Sequence, residues 1–379
     1  MQPLGVALVG HAFMGRVHSQ AWRTVGRVFP HERPVERTVL AGVDAARARR
    51  AADELGWRDA TDNWKEAVLR DDVHIVDICT PGDSHADIAI AALEAGKHVL
   101  CEKPLATTVA EAEAMAVAAG RARERGVRSM AGFTYRRVPA LTLARQLIQE
   151  DRLGRVLQFR ARYLQDWLHD PDAPFSWRLD RARAGAGALG DTGSHLIDLG
   201  QYLLGDTLDG VSAQLATFVD RRHAPDGTPA QVTVDDAAVF IARFGGGTLA
   251  TFEASRFAAG RKNAIQLEIS GTKGALSFDF ESMNELSFYD ATEPSGTAGF
   301  RRILVTEPDH PYLRAWWPAG HGLGYEHAFT HQAHDLLTAI HDGTDPAPGF
   351  EEGLYVQRVI EAVETSAANA GVHTPIATS

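Results

Sequence analysis

Long apolar runs and blocks of like charge are both missing from this sequence of 379 residues. No stretch of about 18 apolar residues occurs, which argues against a transmembrane helix. The opening MQPLGVALVGHAF has no basic segment ahead of its apolar residues, so we do not expect a secretory signal peptide. The 49 acidic and 38 basic residues give a net charge of −11. Because these charges are dispersed, binding to nucleic acid or to an anionic membrane is not expected.

Cysteine is scarce as well. Cys79 and Cys101 are the two cysteines of the chain, and they have neither CxxC spacing nor the density of a disulfide framework. This usage is typical of a reducing compartment, and we expect a cytoplasmic protein. With 45% hydrophobic and 23% charged residues, the chain has an ordinary globular composition and is long enough for two domains.

The first third of the chain alternates between strand-like and helix-like segments. Short apolar runs, most of them rich in Val, Ile or Leu, alternate with stretches that favour helix, several of them rich in alanine. This alternation predicts a doubly wound parallel sheet covered on both faces by helices, a Rossmann-type α/β domain over residues 1–133. The predicted strands are 4–10, 38–44, 74–80, 98–102 and 127–132.

After residue 133 the pattern changes to strands in which apolar and polar residues alternate. Such alternation predicts a largely antiparallel open sheet with one face buried, within an α+β domain over residues 134–379. Helix-like stretches interrupt or follow the strands, and the C-terminal one can pack back on the first domain. The clearest strands are 157–164, 248–257, 264–271 and 274–280, and the helices are 194–205, 325–341 and 351–370.

The first strand ends in a glycine turn, Gly10-His11-Ala12-Phe13-Met14-Gly15. A dinucleotide-binding turn has the pattern GxGxxG after a strand and before a helix, and Ala12 stands here at the middle glycine. A methyl group at that position modestly obstructs the approach of the pyrophosphate. Taken alone, the motif fits a plain strand-to-helix turn almost as well.

Three further motifs follow predicted strands. Asp44 ends the second strand, where its carboxylate can accept the adenosine ribose hydroxyls or cap the next helix, or do both. We assign the long spacing before it to an inserted loop, 26–38. Thr80-Pro81-Gly82-Asp83-Ser84-His85 and Glu102-Lys103-Pro104 follow two later strands. Ligands bind beyond the carboxyl ends of parallel strands, so the four motifs predict one cofactor-binding rim.

Two segments carry a specific resemblance. AALEAGKHVLCEKPLA, residues 91–106, resembles a signature of the Gfo/Idh/MocA family, which includes glucose–fructose oxidoreductase and inositol dehydrogenase, and GALGDTGSHLIDLGQYLLG, residues 187–205, resembles a second one. The resemblance implies an NAD(P)-dependent dehydrogenase that oxidises a secondary hydroxyl of a sugar, an anhydrosugar or an inositol-like polyol. We also expect a homodimer or homotetramer. The apolar residues of both faces in Ala238-Val239-Phe240-Ile241 favour such an oligomer.

The resemblance implies a role for each candidate residue. His195 is the family's position for the general base, Asp191 lies four residues earlier and can orient its imidazole, and Lys103 can stabilise the reacting oxygen. The cofactor is expected to be NAD, with NADP possible because Arg47 and Arg49 lie near Asp44. The cofactor-binding candidates are Gly10, Ala12, Phe13, Met14, Gly15, Asp44, Thr80, Pro81, His85, Glu102, Lys103, Trp177 and Arg178. The substrate-binding candidates are Lys103, Tyr135, Arg136, Asp191, His195, Trp177 and His321.

Other functions stay open at this point. The same family resemblance fits a redox-neutral NAD-dependent glycosidase, a glycoside 3-oxidase or a non-enzymatic sensor of NAD or sugar. Asp191, His195 and Asp198, or the histidines 327, 331 and 334, have spacings that metal ligands can have. We predict no metal, because the hydride-transfer interpretation already uses the first two of these residues.

Overall fold

The computed structural model describes residues 2–377, which divide into two compact units. The first unit contains the chain up to Thr134 together with Gly324–Leu354. The second contains Tyr135–Leu323 and the chain from Tyr355 onward. This division differs from the predicted limits 1–133 and 134–379 mainly in one segment, Gly324–Leu354, which returns to the first unit.

The first unit is built on a six-stranded sheet in the order β3-β2-β1-β4-β5-β6, with every neighbouring pair parallel. This is the Rossmann sheet predicted from the sequence. Its central strands are buried along their whole length, because helices cover both faces. The strands are β1 Leu4–Val9, β2 Val35–Ala41, β3 Asp59–Thr61, β4 Ile75–Ile78, β5 His98–Cys101 and β6 Ser129–Ala131.

Six helices complete the first unit, five of ten or more residues and one of six residues. The last of them packs against the first: the ring of Phe329 lies 5.4 Å from that of His18, and His334 stacks on Phe29 at 4.1 Å. These apolar contacts explain why a helix from late in the chain belongs to the first unit. The helices are α1 Phe13–Val28, α2 Ala45–Leu55, α3 Trp64–Leu69, α4 His85–Glu94, α5 Val109–Arg123 and, after the three helices of the second unit, α9 Tyr325–Asp342.

Two sequence predictions in this unit need correction. The inserted loop 26–38 is shorter than predicted, because α1 continues through Gly26 to Val28 and β2 begins at Val35. The strand β3 was missed, because its three residues, Asp59–Thr61, are only partly buried and show no apolar run.

The second unit is built on a mixed nine-stranded sheet in the order β16-β15-β14-β13-β7-β12-β11-β8-β17. β7 and β12 are parallel neighbours, and the other pairs are antiparallel, as predicted for a largely antiparallel sheet. The strands are β7 Val156–Leu164, β8 Leu208–Ala216, β11 Ala237–Phe244, β12 Leu249–Ser255, β13 Ala264–Gly271, β14 Gly274–Asp279, β15 Glu285–Asp290, β16 Arg301–Leu304 and β17 Thr374–Pro375.

One face of this sheet is covered and the other is open in places. Gly200 on a covering helix lies against Phe159 and Phe244, while Val239 and Ile241 on the opposite face are 53% and 54% exposed. The helices are α6 Pro139–Gln149, α7 Arg181–Ala184, α8 Ser194–Leu204 and α10 Phe350–Ala368, the last of which begins in the first unit. A small hairpin, β9 Arg221–His223 and β10 Pro229–Gln231, lies between β8 and β11.

The structure also bears on the predictions about membrane spans and about the cysteines. Over residues 2–377, none of the helices combines the length and apolarity that crossing a membrane requires. Cys79 and Cys101 are buried free thiols.

Candidate active site

The glycine turn packs tightly between β1 and α1. Gly10 has φ +97°, and a Cβ there would lie 2.8 Å from the carbonyl carbon of Cys79. A Cβ on Gly15 would lie 2.1 Å from the carbonyl oxygen of Gly10. Both positions therefore require glycine, one for its backbone conformation and the other for close helix–strand packing.

The N-terminus of α1 is suited to an anion. Ala12 stands at the cap with no side-chain hydrogen bond to the helix, and the first turn holds no acidic residue. Its backbone φ of −73° is ordinary for alanine, so the missing middle glycine causes no strain. Phe13 is 60% exposed, with its ring 6.3 Å from that of Tyr325. The first N–H groups of a helix carry partial positive charge, and a pyrophosphate fits them.

Asp44 occupies the end of the second strand, as predicted. Its Oδ1 accepts a hydrogen bond from the backbone N–H of Arg47 at 2.7 Å, so the carboxylate caps α2. The side chain is exposed on the rim of the sheet. The capping role is therefore observed, and it leaves the carboxylate accessible for a ribose.

The turn after β4 is fixed to the turn after β5 by His85. This ring is buried, and its nitrogens lie 3.1 Å from the carbonyl oxygen of Pro104 and 2.9 Å from that of Thr80. Pro81 begins a short 3₁₀ turn, in which Ser84 donates to the Thr80 hydroxyl. Because backbone groups engage both ring nitrogens, we expect His85 to shape the cofactor rim from beneath rather than to contact the cofactor.

The turn after β5 carries Glu102, which is buried, and Lys103, which is half-buried. Glu102 is 4% exposed, and its Oε1 lies 3.0 Å from Nε2 of His18 on α1. Its Oε2 accepts from the backbone N–H of Lys103 at 3.2 Å. Lys103 is half-buried and is joined to Pro104 by a cis peptide. The Glu102 carboxylate therefore bonds these internal partners, and its predicted contact with the cofactor stays a prediction.

In the second unit, His195 lies in the first turn of α8, directly after the π-helical turn Leu189–Gly193 that holds Asp191. Asp235 fixes the chain ahead of this turn, because its carboxylate accepts from the N–H groups of Gly187 and Leu189 at 2.7 and 2.8 Å. Burial raises the pKa of Asp235, against the effect of these hydrogen bonds. The start of α8 is therefore held by a buried carboxyl group that the sequence did not reveal.

His195 is buried among tyrosines. Its ring centroid lies 4.5 Å from that of Tyr135 and 5.9 Å from that of Tyr163. The two tyrosine hydroxyls are 2.8 Å apart, and Tyr163 donates to Asn263 at 2.6 Å. Gln165 also donates to this Asn263 oxygen, at 2.9 Å. We name Tyr135, Tyr163, Gln165, His195 and Asn263 the histidine cluster.

Sequence reasoning missed three members of the histidine cluster. Tyr163 and Gln165 stand at the end of the alternating strand 157–164, where the only available signal was a polar aromatic residue on the buried face. Asn263 lies between strands in a segment without a motif. The aromatic and amide groups of the cluster can hydrogen-bond a ligand that carries several hydroxyls.

Arg136 has a different environment from Tyr135. Its guanidinium forms a buried, bidentate ion pair with Asp198, with Nε 3.0 and 2.9 Å from the two carboxylate oxygens. Its guanidinium carbon also lies 5.2 Å from the ring of Tyr202. Asp198 is thus a partner of Arg136, and the predicted substrate contact of Arg136 stays a prediction.

The remaining candidates are spread over two loops. Trp177 and Arg178 form a short 3₁₀ turn, with the guanidinium carbon 4.6 Å from the indole ring centre, and Leu179 anchors the turn among Leu168, Val232 and Val234. His321 is exposed, and its Nδ1 lies 2.8 Å from the carbonyl oxygen of Pro318. His321 lies in the loop ahead of α9, which begins at Tyr325 after Gly324.

One group of potential metal ligands is found among residues 2–377, formed by buried His18, Asp77 and Cys79. It differs from both sets considered from the sequence. Its side chains already hydrogen-bond one another.

The parallel sheet, the glycine turn and the anion-binding helix end define a dinucleotide-binding oxidoreductase fold. Comparison with protein families agrees. Residues 4–133 match the model of an oxidoreductase family with an NAD-binding Rossmann fold, and residues 141–277 match that of the GFO/IDH/MocA C-terminal domain. The chain belongs to the GFO/IDH/MocA family of oxidoreductases.

Individual relatives are similar over nearly the whole chain. Levoglucosan dehydrogenase of Pseudarthrobacter phenanthrenivorans is 39% identical over 97% of each chain. Inositol 2-dehydrogenase of Rhizobium meliloti is 26% identical over 95% of this chain and 96% of its own. An oxidoreductase domain protein from Kribbella flavida is 60% identical with a TM-score of 0.97, over the full length of both chains. A levoglucosan dehydrogenase solved with NADH and levoglucosan is 38% identical with a TM-score of 0.95, also over both full lengths.

These similarities settle the class of activity. The chain is an oxidoreductase with an NAD-binding Rossmann domain. The alternatives of a glycosidase, a sensor and a metal enzyme receive no support from the named relatives.

Proposed function

We propose that this enzyme oxidises a secondary hydroxyl of an anhydrosugar of the levoglucosan type to a ketone, with NAD⁺ as the oxidant. The full-length similarity to levoglucosan dehydrogenase carries the proposal. The histidine cluster supports it, because its hydroxyl and amide groups suit a compact ring with several hydroxyls. The apolar part of a simple alcohol would form no hydrogen bonds with these groups.

Lys103, His195 and Asp191 carry the chemistry in this proposal. His195 removes the hydroxyl proton, for which an imidazole is suited at neutral pH. Asp191, four residues earlier, orients the imidazole and favours its protonated form. Lys103 donates a hydrogen bond to the reacting oxygen and stabilises its developing negative charge. Bound NAD⁺ supplies the hydride acceptor.

We assign the remaining binding roles as follows. Gly10, the backbone of Ala12, Phe13 and Met14, and Gly15 hold the pyrophosphate at the start of α1, while Thr80 and Pro81 line the rim. Asp44 binds the adenosine ribose. Tyr135, Trp177 and His321 bind the substrate, and Trp177 with Arg178 borders the nicotinamide.

We also propose a homodimer or homotetramer formed through the open face of the second unit's sheet. Val239, Ile241 and Leu249 are 53%, 54% and 43% exposed there, and an apolar sheet face of this kind favours a partner. The two free cysteines support a cytoplasmic location, which is reducing.

A substrate panel tests the proposal. The enzyme is mixed with NAD⁺ and, in turn, levoglucosan, pyranoses, inositols and simple aliphatic alcohols, and the appearance of NADH is followed by absorbance. We expect the highest kcat/KM for levoglucosan or another anhydrosugar. Oxidation of aliphatic alcohols alone, or of no compound despite bound NADH, would refute it.

A further inference from the structure

A buried group of charged side chains lies beneath the Glu102-Lys103-Pro104 turn of the first unit. Nδ1 of His18 lies 2.9 Å from both oxygens of Asp77, and its Nε2 lies 3.0 Å from Glu102 Oε1. The three residues are 2%, 0% and 4% exposed, in the order His18, Asp77 and Glu102. They come from three different elements, α1, β4 and the end of β5. We name them the buried triad.

The triad has a defined protonation pattern. A carboxylate only accepts hydrogen bonds, so an imidazole that bonds two carboxylates must donate from both nitrogens and carry a positive charge. Burial is the largest single influence and lowers the pKa of His18, but the negative charge of Asp77 and the other interactions of the ring together raise that pKa well above its ordinary value. Asp77 also accepts from Trp22 Nε1 at 2.6 Å, and the Cys79 thiol lies 3.6 Å away. Burial raises the pKa of the Cys79 thiol, which keeps it neutral.

Glu102 connects the His18 imidazole with the backbone of Lys103. One of its oxygens bonds His18, and the other accepts the backbone N–H of Lys103. Gly132 lies against the same side chain, since a Cβ on Gly132 would lie 2.9 Å from Glu102 Oε1. The carboxylate is therefore fixed at both oxygens. Loss of the imidazolium would free the Glu102 side chain to turn, and the hydrogen bond that holds the Lys103 backbone would weaken.

His18 also lies one helical turn after the glycine turn, on the same helix. It connects the helix whose N-terminus we assign to the pyrophosphate with the turn that carries Lys103. We propose that His18 is a positioning residue, which holds Glu102 and through it fixes Lys103 for catalysis. This inference rests on the proposed role of Lys103.

Two readouts test the proposal in the full-length enzyme. The first is hydrogen–deuterium exchange of the Lys103 amide without substrate, measured on a peptide that includes the turn. We expect exchange to become faster by about tenfold or more in His18→Gln, since a local opening exposes the amide. The second is steady-state kinetics. We expect kcat to fall by about 10–100-fold with KM for NAD⁺ unchanged, because a small misplacement of a catalytic group costs rate.

His98→Gln is the matched control. His98 begins β5, the strand that leads to Glu102, and its Nδ1 accepts from the backbone N–H of Arg128 at 2.9 Å. It is a part-buried histidine with a backbone hydrogen bond at the other end of the strand. We expect neither Lys103 exchange nor kcat to change in this variant. If His18→Gln and His98→Gln give the same values for both readouts, the proposal is wrong.

Glu102→Gln keeps the test valid if His18→Gln does not fold. This variant retains the side-chain shape and removes the charge, so we expect the same faster exchange and lower kcat. Where both variants fold, the double variant should be no slower than the slower single variant, and additive losses would overturn the proposal. Normal turnover of Lys103→Ala would instead contradict the proposed function. The exchange measurement distinguishes the two failures, because it does not depend on turnover.

Discussion

Gly187→Ala tests whether the segment 187–189, which Asp235 holds ahead of α8, positions His195. A Cβ on Gly187 would lie 1.8 Å from the carbonyl oxygen of Asp235, and 2.7 and 2.8 Å from its carbonyl carbon and nitrogen. These are backbone atoms, so the two chain segments must separate. Separation weakens the bonds from the Gly187 and Leu189 N–H groups to the Asp235 carboxylate. Both hydrogen bonds hold the turn that leads into His195.

The size of the effect follows from these contacts. Overpacking costs about 1–3 kcal/mol. Loss of one hydrogen bond to a charged group adds about 1.5–3 kcal/mol. Together they destabilise the second unit by roughly 3–6 kcal/mol, and at about 2–4 °C for each kcal/mol the melting temperature should fall by at least about 6 °C. We also expect a lower kcat, because His195 loses its fixed position.

The assay is a thermal melt of wild type and variant, with Gly120→Ala as the control. Gly120 lies inside α5, and nothing is found within 4 Å of a Cβ built there. This substitution should raise stability by about 1 kcal/mol, through helix propensity alone. A Gly187→Ala enzyme with the melting temperature and kcat of wild type would refute the packing described for the segment 187–189.

Three further predictions concern the cofactor, pH and assembly. Asp44→Ser should raise kcat/KM for NADP⁺ relative to NAD⁺, because a carboxylate repels a 2′-phosphate, and a wild-type preference for NADP⁺ in this kinetic assay would contradict the assignment. Burial, with nearby positive charges, lowers the pKa of His98 to about 4. The unfolded chain therefore binds a proton there that the folded chain excludes, so stability should fall as pH drops from about 6.5 towards about 4, and His98→Gln should flatten this slope in denaturant titrations. Light scattering at micromolar concentration should give the mass of a dimer or tetramer, and replacement of Ile241 by Lys should lower it; a monomeric wild-type mass would exclude the proposed interface.

Much of the fold follows from periodicity in the sequence. Most buried strands of the first unit are rich in apolar residues, and several strands of the second unit alternate, so the two sheet types and the positions of those strands were predictable. β3 was not, because a short, partly exposed strand leaves no apolar pattern. The return of α9 to the first unit was not predictable either, since it depends on contacts such as Phe329 with His18, which lie far apart in the sequence.

The parts of the site that a local motif fixes through the backbone were predictable from the sequence. The parts that depend on pairs of distant side chains were less predictable. The glycine turn and the Asp44 cap follow from local rules that the sequence displays. Glu102 and Arg136 looked like ligand-binding residues, but His18 and Asp198 are their partners in the structure. Residues that lie 84 and 62 positions apart form these pairs, and a single sequence gives no signal for such long-range partners.

The central claim is that Lys103 and His195 carry an NAD-dependent oxidation of a sugar-like hydroxyl. The most direct measurement is the rate of NADH formation from NAD⁺ and the best substrate of the panel, in wild type, Lys103→Ala and His195→Ala, with NADH binding measured by fluorescence. We predict that kcat falls by about 10²–10⁴-fold in each variant, the usual share of a positioned acid or base, while His195→Ala still binds NADH. Turnover near the wild-type rate in either variant would contradict the account.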